Sequence, residues 1–135
     1  MRVRRLLQGQ SFTVYATCDA RGDCELVEFL GGLGANLQGD GDHMLELLER
    51  VSSNGPQRNT DICHQIQDDV WEFIKGRLRV LWFYDKGRIV VCTHGFVKSS
   101  RKTPKAEIAK EVRIKEQYFA AKAHNDLEIE EDDDD

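Results

Sequence analysis

The stretch from Arg77 to His94 constrains the fold more than any other. Leu78, Val80, Trp82 and Tyr84 alternate with Arg77, Arg79, Leu81 and Phe83, the period of an extended strand whose sides face different surroundings. Asp85-Lys86-Gly87 reads as a hairpin turn, and residues 88–94 continue as a second, more uniformly apolar strand. Upstream, VWEFIK (70–75) reads as a third strand, separated from the hairpin by Gly76, which suits a tight turn or bulge. The core of the fold is therefore an antiparallel sheet.

Other elements arrange around it. FTVYATC (12–18) alternates like a strand, whereas residues 1–10 read as a loosely docked start. Residues 24–30 form a short helix stopped by Gly31, Gly32 and Gly34. A second helix runs from about His43 to Ser52, with Asp40 or Asp42 as its N-cap and Met44, Leu45, Leu47, Leu48 and Val51 as its apolar face. Residues 59–67 are a linker or weak strand. Pro104 suits the first turn of a last helix, with Thr103 as its N-cap and Ile108, Val112 and Phe119 on one stripe. The expected class is α+β: a small antiparallel sheet, two helices from the N-terminal half packed on one face, and a C-terminal helix. The other face, or its rim, is left open to a partner.

Length supports one domain, residues 1–125. DLEIEEDDDD (126–135) is a like-charge run with few core-forming residues, expected to be a disordered acidic tail. No apolar stretch is long enough to span a bilayer. MRVRRLLQGQ has no apolar segment behind its basic residues, so the expectation is no export signal, a cytoplasmic location and free thiols at Cys18, Cys24, Cys63 and Cys92.

Charge is distributed unevenly. Residues 75–122 carry 13 Lys/Arg against 4 Asp/Glu, a net of +9, although the whole chain is at −5. The first 74 residues are at −6 and the last thirteen at −8. A basic block of that density in a folded segment suggests a polyanionic partner. Arg79, His94, Lys98 and Lys102 can converge at one end of the sheet, with Lys75, Arg77, Arg101 and Lys105 around them. Arginine holds phosphate bidentately, lysine adds point charge and histidine titrates near neutral pH. Together they suit phosphodiester binding, and cleavage by attack of an RNA 2′-hydroxyl.

The same residues carry a resemblance. Trp71-Glu72, Arg79-Val80-Leu81-Trp82-Phe83, His94-Gly95-Phe96-Val97-Lys98, Lys102-Thr103-Pro104 and Glu107-Ile108 resemble the C-terminal half of RelE/HigB-type toxins of bacterial type II toxin–antitoxin modules, in the phage-derived branch of the RelE/ParE superfamily. The likeness is specific over roughly residues 60–120; residues 12–55 agree only in layout. It implies a RelE/ParE-like fold and a metal-independent RNA endonuclease, without cofactor, that cuts mRNA on the ribosome and contacts rRNA. It also implies a cognate antitoxin, a HigA-like helix-turn-helix protein. Arg79 falls on the strand arginine used at the phosphate, Lys98 on the basic residue after the last core strand, and Lys102 on a third basic position. Two departures stand out: Phe73-Ile74 where many relatives have Leu-Arg, unless Lys75 replaces the arginine, and Lys98-Ser99 where a double lysine is usual.

Three other readings are open. One is a ParE-like gyrase inhibitor on the same scaffold; another is a catalytically inactive, antitoxin-binding relative. The third is a metal site assembled from Cys63, His64, Cys92 and His94, although their spacing is not a standard one. The acidic tail could also fold back on the basic segment and mimic RNA.

Overall fold

The structure, a computed structural model, describes residues 1–57 and 59–131. Seven strands and three helices follow the order β1 (Arg2–Gln8), β2 (Thr13–Cys18), α1 (Glu25–Gly31), α2 (Gln38–Asn54), β3 (Cys63–Gln67), β4 (Val70–Lys75), β5 (Leu78–Asp85), β6 (Ile89–Val97), α3 (Lys105–Ala123) and β7 (Glu128–Glu130). A single 3₁₀ turn, Ala35–Leu37, leads into α2.

The strands form one sheet in the order β3-β4-β5-β6-β2-β1-β7. The expected antiparallel meander β3 to β6 is present. The sheet is larger than expected, and mixed: β2 lies parallel to β6, and β7 parallel to β1. Antiparallel β1–β2 pairing, with Val3 opposite Thr17, recruits the first ten residues that the sequence left loose. Val3 is fully buried, which explains the ordering: one apolar residue there reaches the core between sheet and α3.

The sheet is covered on both faces, unlike the one-sided arrangement expected. α1 and α2 bury Leu26, Met44, Leu47, Leu48 and Val51 against Val14, Phe73, Leu78, Val80 and Trp82. Each such large side chain contributes about 1.5–3 kcal/mol on leaving water. Gly95 lets the Phe29 ring of α1 come close to β6, where a Cβ would collide with it. On the other face, Tyr118 of α3 packs on Val3, Phe83 and Val91. Its hydroxyl donates to Asp85 Oδ2 at 2.6 Å, and Lys122 Nζ donates to the same oxygen at 2.7 Å, fixing the C-terminal half of α3 to the end of β5.

Two expected caps are used otherwise. α2 begins at Gln38, so Asp40 sits inside its first turn, where Oδ2 accepts the backbone N–H of Arg77 at 3.1 Å and ties the helix to the β4–β5 turn. Pro104, not Thr103, is the residue at the N-cap of α3.

Residues 128–130 of the expected acidic tail form β7. Arg2, Val3 and Arg4 pair with Glu128, Ile129 and Glu130, and Arg2, Arg4 and Arg5 form ion pairs with Glu128, Glu130 and Glu131. Opposite charge makes β7 a strand where like charge alone favoured disorder. Residues 132–135 of the expected tail lie outside the described residues. β7 sits at the edge opposite β3, away from the basic residues 98–105, so the described acidic residues do not mimic RNA there. No described helix is long and apolar enough to cross a membrane.

Candidate nucleic-acid interface

Strand alternation and a loop build the site. β4 presents Glu72 and Ile74 on the α3 face, and β5 presents Arg79, which is directly opposite Ile74. β3 adds His64 beside Glu72. Residues 98–104 then connect β6 to α3 across this end of the sheet. The result is a cleft of about 460 Å³ that brings together Arg79, Lys98, Arg101, Lys102 and Lys105, with His64, Glu72, Ile74 and Thr103 among its other walls. A larger hollow of about 670 Å³ lies at the β7 edge, but Asp19, Asp126 and Glu128 line it beside Arg2, so its charge does not suit a polyanion.

Arg79 is 8% exposed. Its Nη1 donates to the carbonyls of Gly76 and Leu78 at 2.8 and 2.9 Å, and its Nε lies 3.9 Å from Glu72 Oε1. Burial lowers its pKa from the ordinary value, while Glu72 works in the opposite direction. The guanidinium is thus held rigidly at the cleft floor, oriented before any ligand arrives. Glu72 is 2% exposed. Its Oε2 accepts the Thr103 hydroxyl at 2.6 Å, and its Oε1 lies 3.6 Å from His64 Nε2. Thr103 therefore anchors the basic loop to the sheet instead of capping the helix.

Three expected residues fall elsewhere. His94 is 1% exposed and does not line the cleft. A register shift between Leu81 and Trp82 inserts Thr93 as an extra residue, and places His94 beneath α3. There His94 Nδ1 is 2.9 Å from Thr93 Oγ1, whose hydroxyl donates to buried Glu111. Its Nε2 is 3.3 Å from Glu107 Oε1, though without hydrogen-bond geometry. Burial first, and then Lys110, lower the His94 pKa. A neutral imidazole sealed under a helix cannot reach a bound phosphodiester. Lys75 is paired with Leu78, so its side chain shares the α2 face and cannot replace an arginine at Ile74. Arg77 precedes β5, is exposed and does not share the Arg79 cleft. Arg101 and Lys105 do line it.

The four candidate metal ligands do not converge. Cys63 and Cys92 belong to the core under α1 and α2, while His64 and His94 lie on the α3 face. Burial pushes the Cys63 thiol up to about 11, and the Cys92 thiol higher still.

The sequence reading missed His64 and Glu72 as site residues. A glutamate between Trp71 and Phe73 in an apolar strand was the available signal, since a carboxylate buried there needs partners. His64 had none, because only cross-strand pairing brings β3 to the cleft.

An α+β fold with a seven-stranded mixed sheet, a buried arginine at the end of that sheet and a cationic loop above it is the class of protein seen here. Residues 28–116, well over half of the chain, match the family described as phage derived protein Gp49-like (DUF891), and the chain belongs to that family. The family is associated with toxins of toxin–antitoxin modules. No curated protein matches the chain.

Proposed function

We propose that this chain is the toxin of a type II toxin–antitoxin module and acts as a ribosome-dependent mRNA endonuclease. The observation that carries this reading is the seating of Arg79. It is fixed by two backbone carbonyls at the floor of a cleft whose rim holds Lys98, Arg101, Lys102 and Lys105. Among the described residues its Nη2 takes no hydrogen bond, and so is available to a phosphate oxygen. A prepositioned guanidinium stabilises the charge that develops on a phosphorane, and the lysines neutralise the flanking backbone. The resemblance to RelE/HigB-type toxins supplies the ribosome as the place of action, and a helix-turn-helix antitoxin as the partner.

The test is primer extension on a reporter mRNA in a reconstituted translation reaction. Discrete cuts within codons, lost when ribosomes are omitted, are expected. Intact mRNA in the presence of folded protein overturns the reading.

One observation favours a second reading, an inactive relative that binds only antitoxin. Ile74 faces the cleft opposite Arg79, and Lys75 is turned to the other side of the sheet, so the cleft has one cation fewer than the resemblance implies. Antitoxin binding without cleavage or growth arrest would select it.

A further inference from the structure

We infer that His64 and Glu72 form the proton-transfer pair of the cleft, with His64 taking the proton from the attacking ribose 2′-hydroxyl. The inference rests on the endonuclease reading above and names the base that the reading requires.

Attack by a 2′-hydroxyl needs a group that accepts its proton as the bond to phosphorus forms. Arg79 and Arg101 cannot accept one, since guanidinium remains protonated at any working pH. Lysines are protonated near neutrality as well. Among the described residues, the remaining titratable groups on the cleft are His64 and Glu72. Glu72 is sealed beneath the surface and occupied: Oε2 accepts from Thr103, and Oε1 faces both Arg79 and His64. Its carboxylate cannot reach a substrate. The His64 side chain is 36% exposed, and its neighbour across the strand pair is that carboxylate. A carboxylate beside one ring nitrogen favours the tautomer with the proton there and leaves the other nitrogen as acceptor. Glu72 on β4 faces His64 directly. The cations of the same cleft come from β5 (Arg79), the β6–α3 loop (Lys98, Arg101, Lys102) and α3 (Lys105).

The step balances without any further reagent. The 2′-oxygen gives its proton to neutral His64 and bonds to phosphorus, and the bond from phosphorus to the 5′-oxygen breaks. The departing 5′-oxygen is protonated by water, and the imidazolium returns its proton to the resulting hydroxide. The products are a 2′,3′-cyclic phosphate and a 5′-hydroxyl. Glu72 is a positioning residue in this scheme; His64 is the catalytic one.

The experiment is single-turnover cleavage of mRNA on reconstituted ribosomes by the full chain, from about pH 5 to pH 8, for wild type, His64→Gln, His64→Ala and Glu72→Gln. Circular dichroism accompanies each variant. His64→Gln is expected to slow cleavage about 10²–10⁴-fold and to abolish the acid limb of the rate profile. Added imidazole is expected to restore part of the His64→Ala rate. Glu72→Gln should lower the cleavage rate less than His64→Gln does and leave the acid limb present. Cleavage by His64→Gln at the wild-type rate, with an unchanged profile, overturns the pair and leaves the nuclease reading intact. Wild-type protein that never cleaves overturns both.

Discussion

The Thr103 hydroxyl donates to Glu72 Oε2 at 2.6 Å, joining the last residue before the α3 helix cap to the middle of β4. This bond ties the cationic loop to β4 at the wall of the cleft that holds Arg79.

Replacing Thr103 by Val keeps the shape and removes the donor. The loss of a hydrogen bond to a buried carboxylate should cost about 1.5–3 kcal/mol in a denaturant titration. Because the loop is released, RNA affinity should fall as well. Unchanged stability together with unchanged affinity would show that the loop is held by other contacts.

Arg79→Lys retains one charge but lacks the fork that serves two carbonyls and a phosphate together. We expect about 10²–10³-fold loss of mRNA cleavage, the range seen when one transition-state donor is removed. Lys98→Ala should weaken binding and flatten its salt dependence by about one phosphate contact. Lys98 sits on the cleft rim, so its removal should leave the melting temperature near wild type. Titrations at several salt concentrations check both variants.

Glu111 is fully buried, and burial pushes its carboxyl up to about 7 from 4.5, against the opposing effects of Thr93 and Lys115. The folded state therefore holds this proton more tightly than the unfolded chain. Its contribution is intact below pH 4.5 and is lost as pH rises through about 7. Glu111→Gln should remove that pH dependence, gaining up to about 3 kcal/mol over wild type above neutrality and nothing in acid. Thermal melts of both proteins across this window test the sign.

Truncation after Asn125 removes β7 and the ion pairs to Arg2, Arg4 and Arg5. Exposed pairs of this kind contribute about 0–1 kcal/mol each, so the domain should stay folded. RNA affinity should be unchanged, because β7 lies at the far edge of the sheet from the cleft. The bared β1 edge should instead promote self-association, read by light scattering. A large rise in RNA affinity would show that the acidic residues reach the cleft after all.

The sequence by itself determined the elements whose signals are local. The β5–β6 hairpin follows from period-two apolarity around a Gly-containing turn, and Gly87 and Arg88 do adopt positive φ there. Helices α1 to α3 follow from apolar spacing, and the cationic loop with Arg79 from its run of Lys and Arg. Tertiary structure decided what depends on distant partners. Strand β1 is placed by Val3 reaching the core beneath α3, and β7 by Arg2, Arg4 and Arg5 facing Glu128, Glu130 and Glu131 across more than a hundred residues of chain. Whether a histidine is buried or faces the cleft was equally non-local. One extra residue at Thr93 puts His94 under α3, and antiparallel pairing puts His64 against Glu72. A strand's period is written in neighbouring side chains, whereas its register and its neighbours are settled by which pairings bury apolar surface and satisfy charge across the whole sheet.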